Sequence, residues 1–220
     1  MKKVLKNNSQ SIVFFILFLI AIVGQAVTGF NQHNEELKEK GGAEISMKQY
    51  LTTGHFIQST FENWESEFLQ MALFVVLTIF LYQKGSSESK DPDDPEGEED
   101  RAPDPTKEDA PWPVKQGGVF LKLYKHSLTI VLFLLFALSF VAHWYGSMKD
   151  YNEEQHLSGK PTETAMQYLG NSRFWFESFQ NWQSEFLSIF AMVVLSVFLR
   201  QKGSPQSKPV DAAYAGETGE

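Results

Sequence analysis

The stretch that decides the fold, Phe61-Glu-Asn-Trp-Glu-Ser-Glu-Phe-Leu69, returns later in the chain as Phe179-Gln-Asn-Trp-Gln-Ser-Glu-Phe-Leu187. In both places an apolar run follows, and after it the residues Gln-Lys-Gly-Ser. The two copies are offset by 118 residues, and the alignment holds without a gap from Ser9 to Lys90 of the first copy. Self-similarity at a fixed offset indicates that one structural unit occurs twice.

Each copy contains two apolar runs, which alternate with polar segments. The four runs are Ile12 to Val27, Phe68 to Tyr82, Leu128 to Trp144 and Phe186 to Leu199. The first and third runs carry no charge and reach about 20 residues with their flanks, which matches a bilayer core of about 30 Å. The second and fourth reach that length if their helices begin upstream, near Phe56 and Phe174, where aromatic residues continue the apolar stripe at helical spacing. The sequence therefore predicts an all-α protein with four transmembrane helices.

The first apolar run also has features of a signal peptide, because Lys2, Lys3 and Lys6 precede it. Its aligned copy, which begins at Leu128, lies in the middle of the chain, where a signal peptide does not occur. We therefore expect both runs to be retained as helices.

The charge pattern predicts the domain organisation and the orientation. We expect a first transmembrane hairpin repeat over residues 1–85, an acidic disordered cytoplasmic linker over 86–118, a second hairpin repeat over 119–208 and a disordered tail over 209–220. Of the 19 Lys and Arg residues, 13 lie in the two terminal segments and the linker region, and six lie in the two loops inside the hairpins. This bias places both termini in the cytoplasm and predicts two parallel helical hairpins in the cell membrane.

A polar seam is predicted along the second helix of each hairpin. Asn63, Ser66 and Glu67 are spaced at i, i+3 and i+4, so their side chains share one helix face. The second copy repeats the same three residue types at Asn181, Ser184 and Glu185.

The first helix of each hairpin contributes one further polar residue at a similar depth. These residues are Gln25 and, at the aligned position, His143. The spacing predicts that Gln25 faces Glu67 and that His143 faces Glu185.

Two functions are compatible with such a seam. Asn, Ser and Glu side chains join membrane helices by hydrogen bonds, which indicates a structural role. Carboxylates inside a membrane also mark ion and proton pathways. The leading hypothesis is a non-enzymatic integral membrane protein with a structural or envelope-associated role, whose seams join the two hairpins. The alternative is a small proton or cation transporter or channel that uses Glu67 and Glu185.

Other classes of function lack support in the sequence. The chain has no cysteine, which excludes disulfides and thiolate metal sites. None of the five histidines has a histidine at its aligned position, and no catalytic motif is present, so we expect no enzyme, no cofactor and no metal site. The histidines are His33, His55, His126, His143 and His156. The expected partners are the lipid bilayer and another copy or another membrane protein, without nucleic acid.

The repeated residues Phe-x-Asn-Trp-x-Ser-Glu-Phe-Leu, followed by Gln-Lys-Gly-Ser-x-x-Ser-Lys, resemble an uncharacterised bacterial integral membrane protein family, a domain of unknown function. The resemblance covers nearly the whole chain outside the acidic linker. It implies a bacterial membrane protein and supplies no catalytic or binding residue.

Overall fold

The computed structural model describes residues 2–92 and 100–214, and the regular structure within these ranges is entirely helical. The helices of the described residues are, in chain order, α1 (Lys2–Asn7), α2 (Ser9–Glu39), α3 (Met47–Tyr50), α4 (Gly54–Leu77), α5 (Trp112–Gln116), α6 (Gly118–Lys125), α7 (Ser127–Leu157), α8 (Ala165–Tyr168) and α9 (Ser172–Phe198). This confirms the all-α prediction.

Three helices in the described part of the chain, rather than the predicted four, are long and apolar enough to cross a membrane: α2, α7 and α9. Helix α4 has 24 residues, or about 36 Å of length, which is long enough to cross a bilayer. Its composition, and not its length, therefore distinguishes it from α2, α7 and α9. It carries Glu62, Glu65 and Glu67, whereas the aligned residues of α9 are two glutamines and Glu185. A carboxylate near the middle of a span costs roughly 2.5–3.5 kcal/mol to insert. Of the four predicted transmembrane helices, length and composition therefore support three.

The predicted starts of the second helix in each copy are close to the observed ones. Helix α4 begins at Gly54 and α9 at Ser172, two residues before the predicted Phe56 and Phe174. The short helices α3 and α8 precede them, and each begins with a capping box, in which the cap hydroxyl and the third helical residue satisfy each other's backbone N–H. Local sequence signals account for these boundaries.

The described residues form two compact units, which divide α4, α7 and α9 between them. Unit 1 comprises residues 1–61 and 141–174, and unit 2 comprises residues 62–140 and 175–220.

In unit 1, one asparagine closes each of two loops by the same pair of hydrogen bonds. The Asn34 side chain accepts from the backbone N–H of Ile45 at 2.8 Å and donates to its carbonyl oxygen at 3.1 Å. Asn152 binds the backbone of Glu163 in the same way, at 2.8 Å for both bonds. The two loops occupy aligned positions of the sequence, so equivalent residues make equivalent contacts.

Unit 1 also contains a close crossing between the start of α4 and α7. A Cβ atom added at Gly54 would lie 2.7 Å from the carbonyl oxygen of Gly146 and would also overlap the backbone of Asp150. Beside this crossing, the Lys149 ammonium donates to the carbonyl oxygen of Thr52 at 2.5 Å. Only glycine allows two helix backbones to approach so closely.

In unit 2, the repeated Gln-Lys-Gly-Ser-x-x-Ser segment forms the same turn twice. The hydroxyl of Ser89 accepts from the backbone N–H of Gln83 at 2.8 Å, and Ser207 accepts from Gln201 at the same distance. The glycines inside the two turns, Gly85 and Gly203, both have φ of 85°, a left-handed conformation that glycine adopts without strain.

Helix α5 lies within residues 86–118, the segment predicted to be a disordered linker. The central part of that segment, residues 93–99, and the last residues of the predicted tail, 215–220, lie outside the described residues. The predicted domain boundaries stay predictions.

Candidate functional site

The predicted seam residues differ in exposure and make bonds within their own helices. Ser66 is buried, whereas Asn63 and Glu67 are exposed. The Ser66 hydroxyl donates to the carbonyl oxygen of Asn63 at 2.9 Å. In the second copy Ser184 donates to Asn181 at 2.8 Å, and Ser184 is exposed while Asn181 and Glu185 are half-buried. The serine hydroxyls therefore satisfy the helix that carries them.

Gln25 has partners on α4 other than the predicted one. Its Nε2 atom donates to the hydroxyls of Ser59 and Thr60, both at 3.2 Å. Glu67 lies seven to eight residues further along α4, or about 10–12 Å along the helix axis. The amide of Gln25 thus joins α2 to the beginning of α4.

His143 is fully buried in unit 1. Its ring centroid lies 5.0 Å from that of Phe174, the third residue of α9. The predicted pairing of His143 with Glu185 stays a prediction.

The contacts between α4 and α9 in unit 2 involve residues that the seam prediction did not include. Glu65 is fully buried, and its Oε1 atom accepts from the indole N–H of Trp182 at 2.9 Å. Further along, the Gln70 amide donates to the Ser188 hydroxyl at 3.2 Å. Since the residue numbers increase together on both helices, α4 and α9 run parallel, side by side. Beyond the end of α4, the buried Ser86 hydroxyl lies 2.8 Å from that of Ser196.

A cavity of about 240 Å³ lies between these two helices in unit 2. Four pairs of aligned residues line it, together with Val193: Gln70 and Ser188, Met71 and Ile189, Phe74 and Met192, and Glu88 and Gln206. Its lining combines apolar side chains with polar groups, and the polar groups come from residues that correspond in the two copies.

Glu88 is the ionisable residue of this cavity lining. Burial raises the pKa of its carboxyl above the ordinary value, and a hydrogen bond from Ser87 opposes the shift. Its Oε1 atom is buried and has no hydrogen-bond partner among the described residues. The carboxyl therefore holds a proton more readily than one in water.

A second cluster lies in unit 1, where α2 ends and α4 begins. His33, Glu36 and His55 each place one metal-ligating atom within 4.8 Å of the other two. The centroids of the two imidazole rings are 5.1 Å apart. His33 is 5% exposed, and its Nε2 atom is buried without a hydrogen-bond partner in the described structure. Such an unsatisfied polar atom costs about 1–3 kcal/mol of folding stability.

Two neighbours orient the ligating side chains of this cluster. The Tyr50 hydroxyl lies 3.2 Å from Nδ1 of His55. Burial raises the pKa of Tyr50 to about 12, so its hydroxyl keeps its proton at neutral pH. The Gln32 amide donates to Oε1 of Glu36 at 3.0 Å.

The aligned positions of the second copy hold an ion pair. Glu154 corresponds to Glu36, and Arg173 corresponds to His55. The guanidinium of Arg173 lies 2.8 Å from the Glu154 carboxylate and 2.5 Å from that of Asp150. The carboxylate of Glu154 in the second copy therefore lies beside an arginine, whereas the aligned carboxylate of Glu36 in the first copy lies beside two imidazoles.

A family model described as a domain of unknown function, DUF6766, matches residues 1–220. The chain belongs to the DUF6766 family. No curated protein and no solved structure matches the DUF6766 chain. The family assignment confirms the predicted resemblance to a family of unknown function, while the repeat motif, the bacterial source and the membrane nature of that family stay predictions.

The sequence of the DUF6766 protein explains why the prediction missed both groups of residues. Glu65 differs from its aligned residue Gln183, so a search for residues shared by both copies passes over it. The histidine cluster was missed for the same reason. The spacing of His33 and Glu36, three residues apart on one helix face, is the local signal that indicates it.

Proposed function

We propose that this DUF6766 protein is a non-enzymatic integral membrane protein of a bacterial cell membrane, with a structural or envelope-associated role. In this proposal polar contacts between α4 and α9 hold its two parallel hairpin repeats together. The observation that carries the proposal is a series of three contacts. Two join the helices directly, Glu65 with Trp182 and Gln70 with Ser188. The third joins Ser86, beyond the end of α4, to Ser196 of α9.

The exposure of the apolar helices supports the membrane location. None of the residues in the most apolar 18-residue stretch of α2 is buried in the structure. Apolar surface exposed to water costs about 25 cal/mol per Å², so a stretch that is apolar on all sides requires lipid or another chain around it. The bilayer, and a second copy or another membrane protein, are the partners that fit this surface. The acidic linker and the net charge of −8 give no surface for nucleic acid.

The contacts of α4 with α9 also shield one of the three glutamates of α4 from lipid. Glu65 is shielded from lipid because it is fully buried and accepts from Trp182. We propose that α4 crosses the membrane only as the partner of α9 and not as an independent span. An even number of crossings then keeps both termini in the cytoplasm, in agreement with the bias of Lys and Arg.

A double-mutant cycle on the purified protein in detergent tests the structural role. Glu65→Gln, Trp182→Phe and the double variant are compared by thermal unfolding. We expect a coupling free energy of about 0.6–1.7 kcal/mol, the range of hydrogen bonds between membrane helices. Trp112→Phe, which changes an exposed tryptophan of α5, serves as the control and should show no coupling with Glu65→Gln. Additive effects of Glu65→Gln and Trp182→Phe would refute the role of this contact.

A proton or cation transporter is the second candidate, and the cavity between α4 and α9 is the observation that favours it. Intramembrane carboxylates commonly mark ion pathways. Flux of protons and monovalent cations into liposomes that contain the protein is measured for the wild type, for Glu67→Gln with Glu185→Gln, and for Glu88→Gln. Flux that is lost in folded variants supports transport. Absence of flux in the wild type, or loss of folding in the variants, supports the structural role instead.

A further inference from the structure

We propose that His33, Glu36 and His55 form a binding site for a divalent transition metal ion of the zinc class. Their ligating atoms already lie within 4.8 Å of one another. Two imidazoles and one carboxylate are a donor set that zinc takes in proteins. Calcium and magnesium prefer oxygen ligands alone, so the two histidines select against them.

The backbone geometry allows the three ligands to close around an ion. At bonds of about 2.0–2.1 Å in a tetrahedral arrangement, two ligand atoms stand about 3.3 Å apart. The required contraction is at most about 1.5 Å, which rotation of side chains provides. His33 and Glu36 share one face of α2 because they are three residues apart. Gln25 ties this helix to α4, the helix that carries His55.

The unsatisfied nitrogen of His33 points to a ligand. Its Nε2 atom is buried and has no partner among the described residues, in a side chain that is 95% removed from solvent. A neutral imidazole nitrogen without a proton is a metal ligand. A bound ion would therefore satisfy an atom that the protein leaves without a hydrogen bond.

The neighbouring residues provide the supporting contacts that metal ligands need. When His55 donates its Nδ1–H to the Tyr50 hydroxyl, its Nε2 atom is left free to bind the metal. Gln32 holds one oxygen of Glu36 and leaves the other for the ion. Metal-ligating histidines and carboxylates are usually held in this way by a second hydrogen bond.

Space and charge beside the cluster also suit a cation. A cavity of about 10 Å³ adjoins His33 and Glu36, which is roughly the volume that holds one water molecule. Such a water would complete a site with three protein ligands. The cavity is lined by four carboxylate side chains and by the ammonium of Lys40. Arg173 pairs with two of these carboxylates, Asp150 and Glu154. The charge beside the cluster stays negative because Glu36 and Glu153 remain.

The second copy provides an internal comparison. There the guanidinium of Arg173 neutralises Glu154 at 2.8 Å. The corresponding residues of the first copy, His55 and Glu36, have no permanent positive charge between them. A metal ion in the first copy would supply the charge that arginine supplies in the second. The competing explanation is that the three side chains pack together without any metal.

Metal titration of the full chain distinguishes these explanations. The protein is purified in detergent, treated with a chelator and titrated with Co²⁺ and with Zn²⁺. We expect one equivalent to bind per chain, a visible spectrum of four-coordinate cobalt that zinc abolishes, and a higher unfolding temperature with metal. His33→Ala, Glu36→Gln and His55→Ala should each weaken binding by more than about tenfold.

Matched controls separate this site from unspecific binding. His156→Ala removes an exposed histidine of α7, and Glu154→Gln changes the carboxylate aligned with Glu36. His156→Ala should leave the affinity for Co²⁺ unchanged, and Glu154→Gln should reduce it less than Glu36→Gln does. The proposal is overturned if no stoichiometric binding occurs, or if His156→Ala weakens it as much as His33→Ala.

X-ray absorption spectroscopy of the zinc-loaded wild type tests the ligands without relying on the folding of variants. Two imidazole ligands together with oxygen ligands support the site. A coordination shell with no imidazole, or with only one, overturns it.

Discussion

The crossing of α4 and α7 in unit 1 leads to a quantitative prediction for Gly54→Ala. The new Cβ would lie 2.7 Å from the carbonyl oxygen of Gly146, whereas ordinary contact begins at 3.4 Å. The two backbones must therefore separate by at least about 0.7 Å, since neither atom belongs to a flexible side chain. Overpacking of this kind costs about 1–3 kcal/mol, and separation also lengthens the bond from Lys149 to the Thr52 carbonyl.

At about 2 kcal/mol, the expected fall in unfolding temperature is about 4–8 °C for a chain of this size. Thermal unfolding in detergent, followed by circular dichroism and tryptophan fluorescence, measures it. Gly24→Ala is the matched control, because nothing lies within 4 Å of a Cβ atom at that position of α2. This control should be neutral or stabilising by up to about 1 kcal/mol, since alanine favours a helix interior. If Gly54→Ala unfolds at the same temperature as Gly24→Ala, the close approach of the two helices is refuted.

Two further predictions concern unit 2. Gly85→Ala and Gly203→Ala both place a side chain at φ of 85° and should both destabilise the protein. Gly85→Ala should lower the unfolding temperature more, because its Cβ would also meet the backbone carbonyl oxygen of Tyr214. Equal unfolding temperatures of the two variants would contradict this contact. Burial raises the pKa of Glu88 from its ordinary value of 4.5, so the folded state binds the carboxyl proton more tightly than the unfolded state does. The stability that this proton contributes is present below pH 4.5 and is lost as the pH rises through the raised pKa. Glu88→Gln should therefore stabilise the protein at pH 7 and flatten the pH dependence of unfolding above pH 4.5, and an unchanged pH profile would show that this carboxyl is not buried.

Much of the secondary structure follows from local signals in the sequence. The starts of α4 and α9, the capping boxes of α3 and α8, and the left-handed Gly85 and Gly203 depend on residues that are close together in the chain. Apolar composition also identified α2, α7 and α9 as helices able to cross a membrane. Apolar composition does not select α4, which carries Glu62 and Glu65 where α9 has glutamines.

The candidate sites were less predictable, because they depend on which helices meet. Helical spacing placed Glu67 on a polar face, yet the buried carboxylate that accepts from Trp182 is Glu65, two residues earlier. In the same way, Gln25 contacts Ser59 and Thr60 instead of a residue two turns further along α4. A step of two residues changes the direction of a helical side chain by about 200°, and the position of one helix along another is set by packing over the whole contact.

The sequence by itself determined that this chain is helical, that one sequence motif occurs twice and that three of its helices are apolar enough for a membrane. These properties depend on periodicity, composition and caps, which act over a few residues. Only the tertiary structure brought His33 and Glu36 next to His55 and placed Glu65 against Trp182. The partners in those contacts are separated by roughly 20 to 120 residues of chain, and their meeting depends on how closely helix backbones approach, which no local pattern encodes.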